Sequence, residues 1–159
     1  MKTLTIDVDE VKNVDGRHRF YKWLAMQFNG GLIVEMGTGP GRSAKCWAFN
    51  KTNLVLTYDI KDHLSDYTKR GFNKLCNLLR IVKDCNEVGP EWFSKVDIIY
   101  LDINHNGTDE ERFLQRIAPY FKGILVMDDV DCKKRWCKLY DLFNGLEREL
   151  HLLPSSICS

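Results

Sequence analysis

Hydrophobic positions along this chain come in short continuous runs separated by stretches with helical spacing. Five runs predict strands, at residues 32–36, 54–58, 80–83, 96–101 and 123–127. Helical spacing predicts helices at residues 17–28, 43–49, 64–79 and 108–121. Strands that are apolar on both faces and alternate with helices form parallel sheets that are covered on both sides. The pattern therefore predicts an α/β fold, a Rossmann-like doubly wound and mostly parallel sheet with helices on both faces.

Two local patterns add predictions about the packing of the first of these helices and the start of the last. Phe20, Trp23 and Leu24 recur at helical spacing in the first helix, which predicts packing of this aromatic stripe against the sheet. The last helix carries Thr108 and Glu111, a T-x-x-E pattern that predicts a capping box at its N-terminus. The first helix is therefore expected in the core, and the last is expected to begin at Thr108.

The two ends of the chain carry shorter patterns. Period-two alternation at residues 3–8 predicts a half-buried strand, and residues 133–143 and 150–158 predict one helix and one strand. We expect residues 1–159 to form a single domain with an abbreviated C-terminus. The edge of the sheet would then be completed by the strand at 3–8 or by a second copy of the chain in a homo-oligomer.

Composition and charge narrow the classes of function. The net charge of +1 over 159 residues gives no overall electrostatic reason to expect nucleic acid or an anionic membrane as a partner. No apolar run approaches the roughly 20 residues of a membrane span, and the N-terminus lacks the apolar core of a signal peptide. The six cysteines are scattered without a C-x-x-C pair, which favours reduced thiols. Together these features predict a cytoplasmic protein without membrane partners.

A glycine-rich segment directly follows the first predicted strand. Gly37, Gly39 and Gly41 stand at alternate positions, where glycine allows positive φ and removes the Cβ atoms that would block a ligand. The helix that begins near Arg42 offers free N–H groups and a positive dipole end. Asp59 ends the second strand, where a carboxylate can accept hydrogen bonds from both hydroxyls of a ribose. The glycine-rich loop after the first strand and the acid at the end of the second strand together predict a cofactor that contains a nucleoside.

The glycine spacing separates two classes of cofactor. Dinucleotide-binding folds use G-x-G-x-x-G, whereas this chain has G-x-G-x-G with an acid, Glu35, before the first glycine. The arrangement resembles motif I of the class I S-adenosylmethionine-dependent methyltransferases. That resemblance implies that Glu35 lies near the ammonium group of the cofactor and that Asp59 holds the ribose. A carboxylate at position 35 would repel the negatively charged pyrophosphate of a nicotinamide dinucleotide. This disfavours a nicotinamide-dependent oxidoreductase.

Further segments extend the resemblance over about residues 17–130. The chain has the sequence VEMGTGPGRS at residues 34–43, DINH at residues 102–105, and Asp128 followed by Asp129 after the fifth strand. This set resembles the small-molecule O-methyltransferases, including the cation-dependent catechol-type and the sugar-modifying branches. The resemblance implies methyl transfer to an oxygen of a small-molecule acceptor.

The same resemblance implies a set of residues that bind the cofactor. In such families the segment after the third strand often contacts the adenine, which here implies Asp84 and Cys85. The implied cofactor-binding residues are Glu35, Gly37, Thr38, Gly39, Gly41, Ser43, Asp59, Asp84, Cys85 and Asp102. The predicted cofactor is therefore S-adenosylmethionine.

Acids and one histidine after strands four and five are the candidates for chemistry. The catalytic candidates are Asp102, His105 and Asp128, and the candidate metal ligands are Asp102, Asp128 and Asp129. Neighbouring parallel strands lie about 4.8 Å apart, so carboxylates at their ends can reach one Mg²⁺ ion, which would lower the pKa of an acceptor hydroxyl. Asp102 can instead bind the amino group of the cofactor. His105 can be a general base or a loop residue bonded to the backbone, and Asp129 can cap the following helix.

The sequence as a whole favours an S-adenosylmethionine-dependent methyltransferase that acts on a small-molecule hydroxyl with the help of Mg²⁺. The alternative is a cofactor-binding module or regulatory subunit without its own catalysis, which the short C-terminus favours and the acids after strands four and five oppose. Nucleic-acid substrates are disfavoured. The chain has neither the N/D-P-P-Y/F of the amino-methylating DNA enzymes after strand four nor the Pro-Cys pair of the C5-cytosine enzymes. RNA ribose methylation stays open, although nothing in the sequence supports it. The basic run at residues 133–136 is typical of a solvated helix face.

Overall fold

The computed structural model describes residues 16–104 and 106–127. The elements predicted at 3–8, 133–143 and 150–158 lie outside the described residues. The same holds for three of the predicted site residues, which are His105, Asp128 and Asp129. Their assignments stay predictions.

Strands and helices alternate through the described part of the chain. The strands are β1 (Leu32–Met36), β2 (Leu54–Asp59), β3 (Leu78–Val82), β4 (Ile98–Leu101) and β5 (Ile124–Met127). The α-helices are α1 (Arg17–Met26), α2 (Arg42–Trp47), α3 (Asp66–Phe72) and α4 (Thr108–Ile117). Two 3-10 helices, Cys85–Glu87 and Pro90–Lys95, connect β3 to β4.

The five strands form one parallel sheet in the order β3-β2-β1-β4-β5. Because β2 and β4 flank β1, the chain leaves the centre of the sheet first towards one edge and then towards the other. The crevice at the carboxyl ends of β1 and β4 is therefore the switch point where such sheets bind ligands. The predicted Rossmann-like, doubly wound α/β fold is confirmed.

Alternate residues of the central strands pack on opposite faces of the sheet. On one face, the fully buried Ile33 lies in a cluster with Tyr21 of α1 and Trp47 of α2, whose rings stack 4.8 Å apart. On the other face, the fully buried Val34 lies in a cluster with Phe113 of α4. The prediction that the aromatic stripe of the first helix packs against the sheet is confirmed. Burial on both faces explains why the strands have no polar side in the sequence.

The predicted helix at 64–79 ends earlier than its apolar spacing suggested. In the structure α3 ends at Phe72, and β3 begins at Leu78, ahead of the strand predicted at 80–83. The side-chain amide of Asn77 donates to three backbone carbonyls of the segment between α2 and β2, at 3.0–3.2 Å. Its own carbonyl accepts from the N–H of Val55 at 2.8 Å. These bonds fix the chain at the edge of β2, so the apolar residues that follow pair with β2 instead of extending the helix.

The N-terminus of α4 is capped differently from the prediction. The helix begins at Thr108 as expected, but the N-cap residue is Gly107, and its N–H donates to Oε2 of Glu110 at 2.7 Å. Oδ1 of Asn106 accepts from the N–H groups of residues 108 and 109, both at 2.9 Å. The predicted Thr108–Glu111 capping box is therefore wrong, because the cap lies one residue earlier.

Two further features concern the described residues as a group. Every helix among them is too short or too polar to cross a membrane. Three cysteines of this part of the chain, Cys46, Cys76 and Cys85, are free thiols. Cys46 and Cys85 are buried and Cys76 is exposed.

Candidate functional site

A cleft of about 600 Å³ opens at the carboxyl ends of β1, β2, β3 and β4. It lies at the switch point of the sheet, where the fold predicts ligand binding. The predicted site residues that line it are Gly37, Thr38, Gly39, Ser43, Asp59, Asp84, Cys85 and Asp102. Glu35 and Gly41, which were also predicted to bind the cofactor, do not line it. The fold thus brings together residues that are up to 65 positions apart in the sequence.

The loop between β1 and α2 borders the cleft and is held in place by backbone contacts. The N–H groups of Gly37 and Thr38 donate to the carbonyl oxygen of Tyr58 at 2.9 and 3.0 Å, which ties the loop to the end of β2. Gly37 has a φ of 97°, and a Cβ atom there would lie 1.8 Å from the backbone oxygen of Asp102. The close approach of the segments that follow β1 and β4 therefore requires glycine at position 37.

The third glycine of the loop serves the packing of two helices. A Cβ atom on Gly41 would lie 2.7 Å from Cζ of Phe72 and 3.1 Å from Cδ2 of Leu64. Phe72 is the last residue of α3, and Leu64 precedes that helix. Gly41 thus lets α3 lie against the start of α2, which accounts for this glycine without direct contact to a ligand.

Asp59 joins the end of β2 to the glycine-rich loop. Its Oδ2 accepts from the N–H of Gly39 at 3.0 Å, and its Oδ1 accepts from the N–H of Lys61 at 3.2 Å. His63 Nε2 lies 3.9 Å from Oδ1. A carboxylate has about four acceptor sites, so each oxygen keeps one for a further donor. This geometry fits a carboxylate that accepts hydrogen bonds from a pair of ligand hydroxyls.

The segment after β3 forms the side of the cleft where an adenine ring was predicted. Oδ1 of Asp84 accepts from the backbone N–H of Asn86 at 2.8 Å and from its side-chain amide at 3.1 Å. Oδ1 of Asn86 is buried and has no hydrogen-bond partner among the described residues. Burial, with a smaller contribution from Asp84, raises the pKa of the Cys85 thiol to about 11. Cys85 therefore lines the cleft as a neutral thiol at pH 7.

Glu35 is fully buried in β1 and supports the loop from within the sheet. The hydroxyl of Thr57 donates to its Oε2 at 2.5 Å, and the Thr57 oxygen lies 2.6 Å from the hydroxyl of Thr38. Burial raises the pKa of Glu35 to about 8, although the hydroxyls of Ser43 and Thr57 partly oppose this shift. The carboxyl group is thus mostly protonated at pH 7. A neutral group that does not line the cleft is a weak counterion for the ammonium group that was predicted to lie beside it.

The start of α1 adds polar side chains next to Asp102. Arg17, His18 and Tyr21 line the cleft, and the hydroxyl of Tyr21 donates to the hydroxyl of Tyr100 at 3.1 Å. The Tyr100 hydroxyl in turn donates to Oδ2 of Asp102 at 3.2 Å. This chain of hydrogen bonds orients the Asp102 carboxylate from the side of α1. Asp102 is therefore a restrained acceptor at the wall of the cleft.

Sequence reasoning assigned α1 to the core and missed the polar residues of its first turns. The helix precedes β1 and runs back along the sheet, so its N-terminus lies at the carboxyl edge, where Arg17, His18 and Tyr21 reach the cleft. A tyrosine within an otherwise apolar stripe was the available sign of this second role. Lys83 and Arg112 also line the cleft, and no motif in the sequence marks them.

The predicted metal site lies partly outside the described residues. Leu101, the last residue of β4, pairs with Met127, the last residue of β5. No group of three His, Cys, Asp or Glu side chains within residues 16–104 and 106–127 is arranged to hold a metal ion. Asp102 is the described member of the predicted set, and Asp128 and Asp129 lie outside the described residues.

Comparisons with known proteins identify the fold. No protein-family model and no curated protein sequence matches the chain. Among solved structures, an S-adenosylmethionine-dependent O-methyltransferase from Thermotoga maritima superposes with a TM-score of 0.61 at 17% identity. The match covers 90% of this chain and 52% of that enzyme, so the chain spans about half the length of the Thermotoga protein.

Two further structures show the same likeness. Fibrillarin from Aeropyrum pernix, solved with natively bound S-adenosyl-L-methionine, gives a TM-score of 0.56 at 18% identity over 82% of this chain and 64% of that one. A proposed RNA methyltransferase from Pyrococcus horikoshii gives 0.58 at 13% identity over 87% of this chain and 80% of that one. These likenesses show that the described residues have the fold of the class I S-adenosylmethionine-dependent methyltransferases.

Proposed function

We propose that this protein is an S-adenosylmethionine-dependent methyltransferase that transfers a methyl group to a hydroxyl of a small molecule. The observation that carries the proposal is the geometry at the carboxyl ends of β1 and β2. There Asp59 presents a carboxylate to the cleft beside a loop that Gly37 allows to lie against Asp102. A sheet of this topology binds nucleoside cofactors at that edge. The Thermotoga O-methyltransferase, which has the same fold, supports both the cofactor and an oxygen acceptor.

In this proposal different residues of the cleft bind different parts of the cofactor. Asp59 accepts hydrogen bonds from the ribose hydroxyls, and Asp84 with Asn86 faces the adenine ring. Asp102, oriented by Tyr100, accepts from the amino group at the methionine end. When bound, S-adenosylmethionine supplies an electrophilic methyl group. The chain must then hold the acceptor oxygen in line with that methyl group, which is mainly a matter of positioning.

A hydroxyl acceptor also has to lose a proton. Among the described residues that line the cleft, the imidazole of His18 can take it, and the Asp102 carboxylate is the alternative acceptor where it does not bind the amino group of the cofactor. His105 and Asp128 keep their predicted roles as further candidates. The predicted help from Mg²⁺ stays a hypothesis.

A second acceptor class is a ribose hydroxyl of RNA. Four basic side chains, Arg17, Arg42, Lys83 and Arg112, line the cleft and can contact phosphate groups. The proposed RNA methyltransferase of Pyrococcus horikoshii, which shares the fold, also favours this class. The alternative without catalysis, a cofactor-binding module, would use the same cleft and show no transfer to either acceptor.

The first test is a calorimetric titration with S-adenosylmethionine, S-adenosylhomocysteine and NAD. We expect micromolar binding of the first two and no binding of NAD. Transfer of a radiolabelled methyl group to a panel of catechols, sugars and short RNAs then identifies the acceptor class. Binding of NAD alone would contradict the proposed cofactor, and cofactor binding without transfer to any acceptor would favour the module.

Asp59→Asn should weaken binding of S-adenosylhomocysteine by about 10- to 100-fold, since hydrogen bonds to a charged group contribute about 1.5–3 kcal/mol. The thermal midpoint should fall only slightly, because asparagine keeps one oxygen to accept from the N–H of Gly39 and loses only the exposed 3.2 Å bond from the N–H of Lys61. The matched control is Asp62→Asn. Asp62 pairs with Lys69 at 2.8 Å and with Arg80, and it does not line the cleft. Equal affinities in the two variants would show that Asp59 does not contact the ribose.

A further inference from the structure

Arg116 of α4 holds the segment that follows β3 through backbone contacts. Its Nη1 atom donates to the carbonyl oxygens of Asn86 and Val88 at 2.7 and 2.8 Å. Its Nη2 atom donates to the carbonyl oxygen of Cys85 at 2.8 Å. The guanidinium group also lies 5.9 Å from the ring centre of Phe113. One side chain that does not line the cleft thus binds three carbonyl groups of the segment.

This contact makes the shape of the segment depend on Arg116. Three carbonyl dipoles that converge on one point repel one another unless a cation lies between them. The planar guanidinium presents several N–H donors in a fixed arrangement, which suits three acceptors at once, whereas an ammonium group is a point charge. The segment would therefore adopt a different conformation if the guanidinium were removed.

Side chains of the same segment line the cleft. Asp84 and Asn86 both line it, and the amide nitrogen of Asn86 donates to Asp84. Oδ1 of Asn86 is therefore the oxygen that is buried without a hydrogen-bond partner among the described residues. A buried acceptor without a partner costs free energy unless a ligand donates to it. Two oxygen acceptors at this place match the exocyclic amino group of adenine.

We propose that Arg116 is a positioning residue that makes the cleft selective for adenine. By binding the carbonyl groups of residues 85, 86 and 88 it holds Asp84 and Asn86 in the orientation in which their oxygens accept from the 6-amino group. The proposal rests on the proposed function, because the adenine is that of the cofactor. Hypoxanthine carries an oxygen at position 6, so the same acceptors would repel it.

The test compares S-adenosylhomocysteine with S-inosylhomocysteine, its 6-oxo counterpart, by calorimetry. The wild-type protein should bind the adenine compound at least about tenfold more tightly, which is about 1.4 kcal/mol. Arg116→Met should lower the ratio of the two affinities to about one and weaken the binding of S-adenosylhomocysteine by about tenfold. Arg116→Lys, which restores the charge without the planar arrangement of donors, should give an intermediate preference.

The matched control is Arg70→Met, an exposed arginine of α3 that does not line the cleft. It should keep the wild-type preference. If Arg116 had only a structural role, Arg116→Met would lower the thermal midpoint and weaken the binding of both compounds by the same factor. That result would overturn the proposal. Failure of the wild-type protein to bind S-adenosylhomocysteine would contradict the proposed function itself. Binding without a preference for adenine would contradict only the role of Arg116.

Discussion

Replacing Gly37 by alanine should destabilise the protein by about 4 kcal/mol and abolish cofactor binding, as the sum of overpacking and backbone strain. The new Cβ atom would lie 1.8 Å from the backbone oxygen and 2.6 Å from the carbonyl carbon of Asp102. Neither partner can move freely. The N–H of Asp102 donates to Met36 at 2.8 Å, and the N–H of Gly37 donates to Tyr58 at 2.9 Å. Relief of the collision would therefore break the contacts that close the loop over the sheet.

Gly39→Ala is the matched control for the effect on stability. Gly39 also has a positive φ, of 47°, but its Cβ atom would meet no atom within 4 Å. Only the left-handed backbone strain remains, which costs roughly 1–2 kcal/mol. Urea unfolding of both variants measures the difference. Equal losses of stability would show that backbone strain, and not the collision with Asp102, determines the requirement for glycine at position 37.

The stability of the wild-type protein should fall as pH rises from about 5 to about 8, and Glu35→Gln should remove most of this fall. Burial raises the pKa of Glu35 from 4.5 to about 8 in the folded protein. Between these values the unfolded chain releases the proton while the folded protein keeps it. Stability is then lost with rising pH, because the folded state binds more protons than the unfolded state.

The size of the effect follows from the shift of the Glu35 pKa. Each unit of pKa corresponds to 1.36 kcal/mol, so the full shift from 4.5 to about 8 corresponds to a total loss of stability on the order of 5 kcal/mol. The contribution of Glu35 to the stability of the folded protein is fully present below about pH 4.5 and is lost as the pH approaches about 8. Glutamine resembles the protonated carboxyl group in shape and can still accept from Thr57. The free energy of unfolding of the variant should therefore nearly equal that of the wild type at pH 5 and exceed it at pH 8.

Urea unfolding at pH 5, 6, 7 and 8 tests this prediction for the wild type and Glu35→Gln. Glu91→Gln, a change at an exposed position, is the control and should follow the wild-type pH dependence. If the difference between wild type and Glu35→Gln stayed constant over this range, Glu35 would be ionised in the folded protein. Glu35 would then be available as a charged partner after all.

The fold was predictable because its main signals are local. β1 and the starts of α2 and α4 follow from apolar runs, glycines and helix-initiating residues that are close in the sequence. The error at 64–79 has a different origin. Asn77 ends the helical region through bonds to backbone groups more than 20 residues away, and no pattern within the segment reveals those partners.

The candidate site was predictable to the extent that its residues follow strands. Because parallel strands end at one edge, Asp59, Asp84 and Asp102 were expected to converge, and all three line the cleft. The contributions of His18 and Arg116 were not predictable in this way. Both lie on helices, and which side of a helix faces the cleft depends on how that helix packs.

By itself the sequence determined the alternation of strands and helices, the sharp loop at Gly37 and the acid at Asp59, since these depend on local spacing and backbone freedom. Tertiary structure alone decided the environment of each group. It buried Glu35 and so raised the pKa of its carboxyl group to about 8, placed Gly41 between two helices, and brought Arg116 against the segment that follows β3. Burial, charge state and contact depend on residues distant in the chain, and only folding brings those residues together.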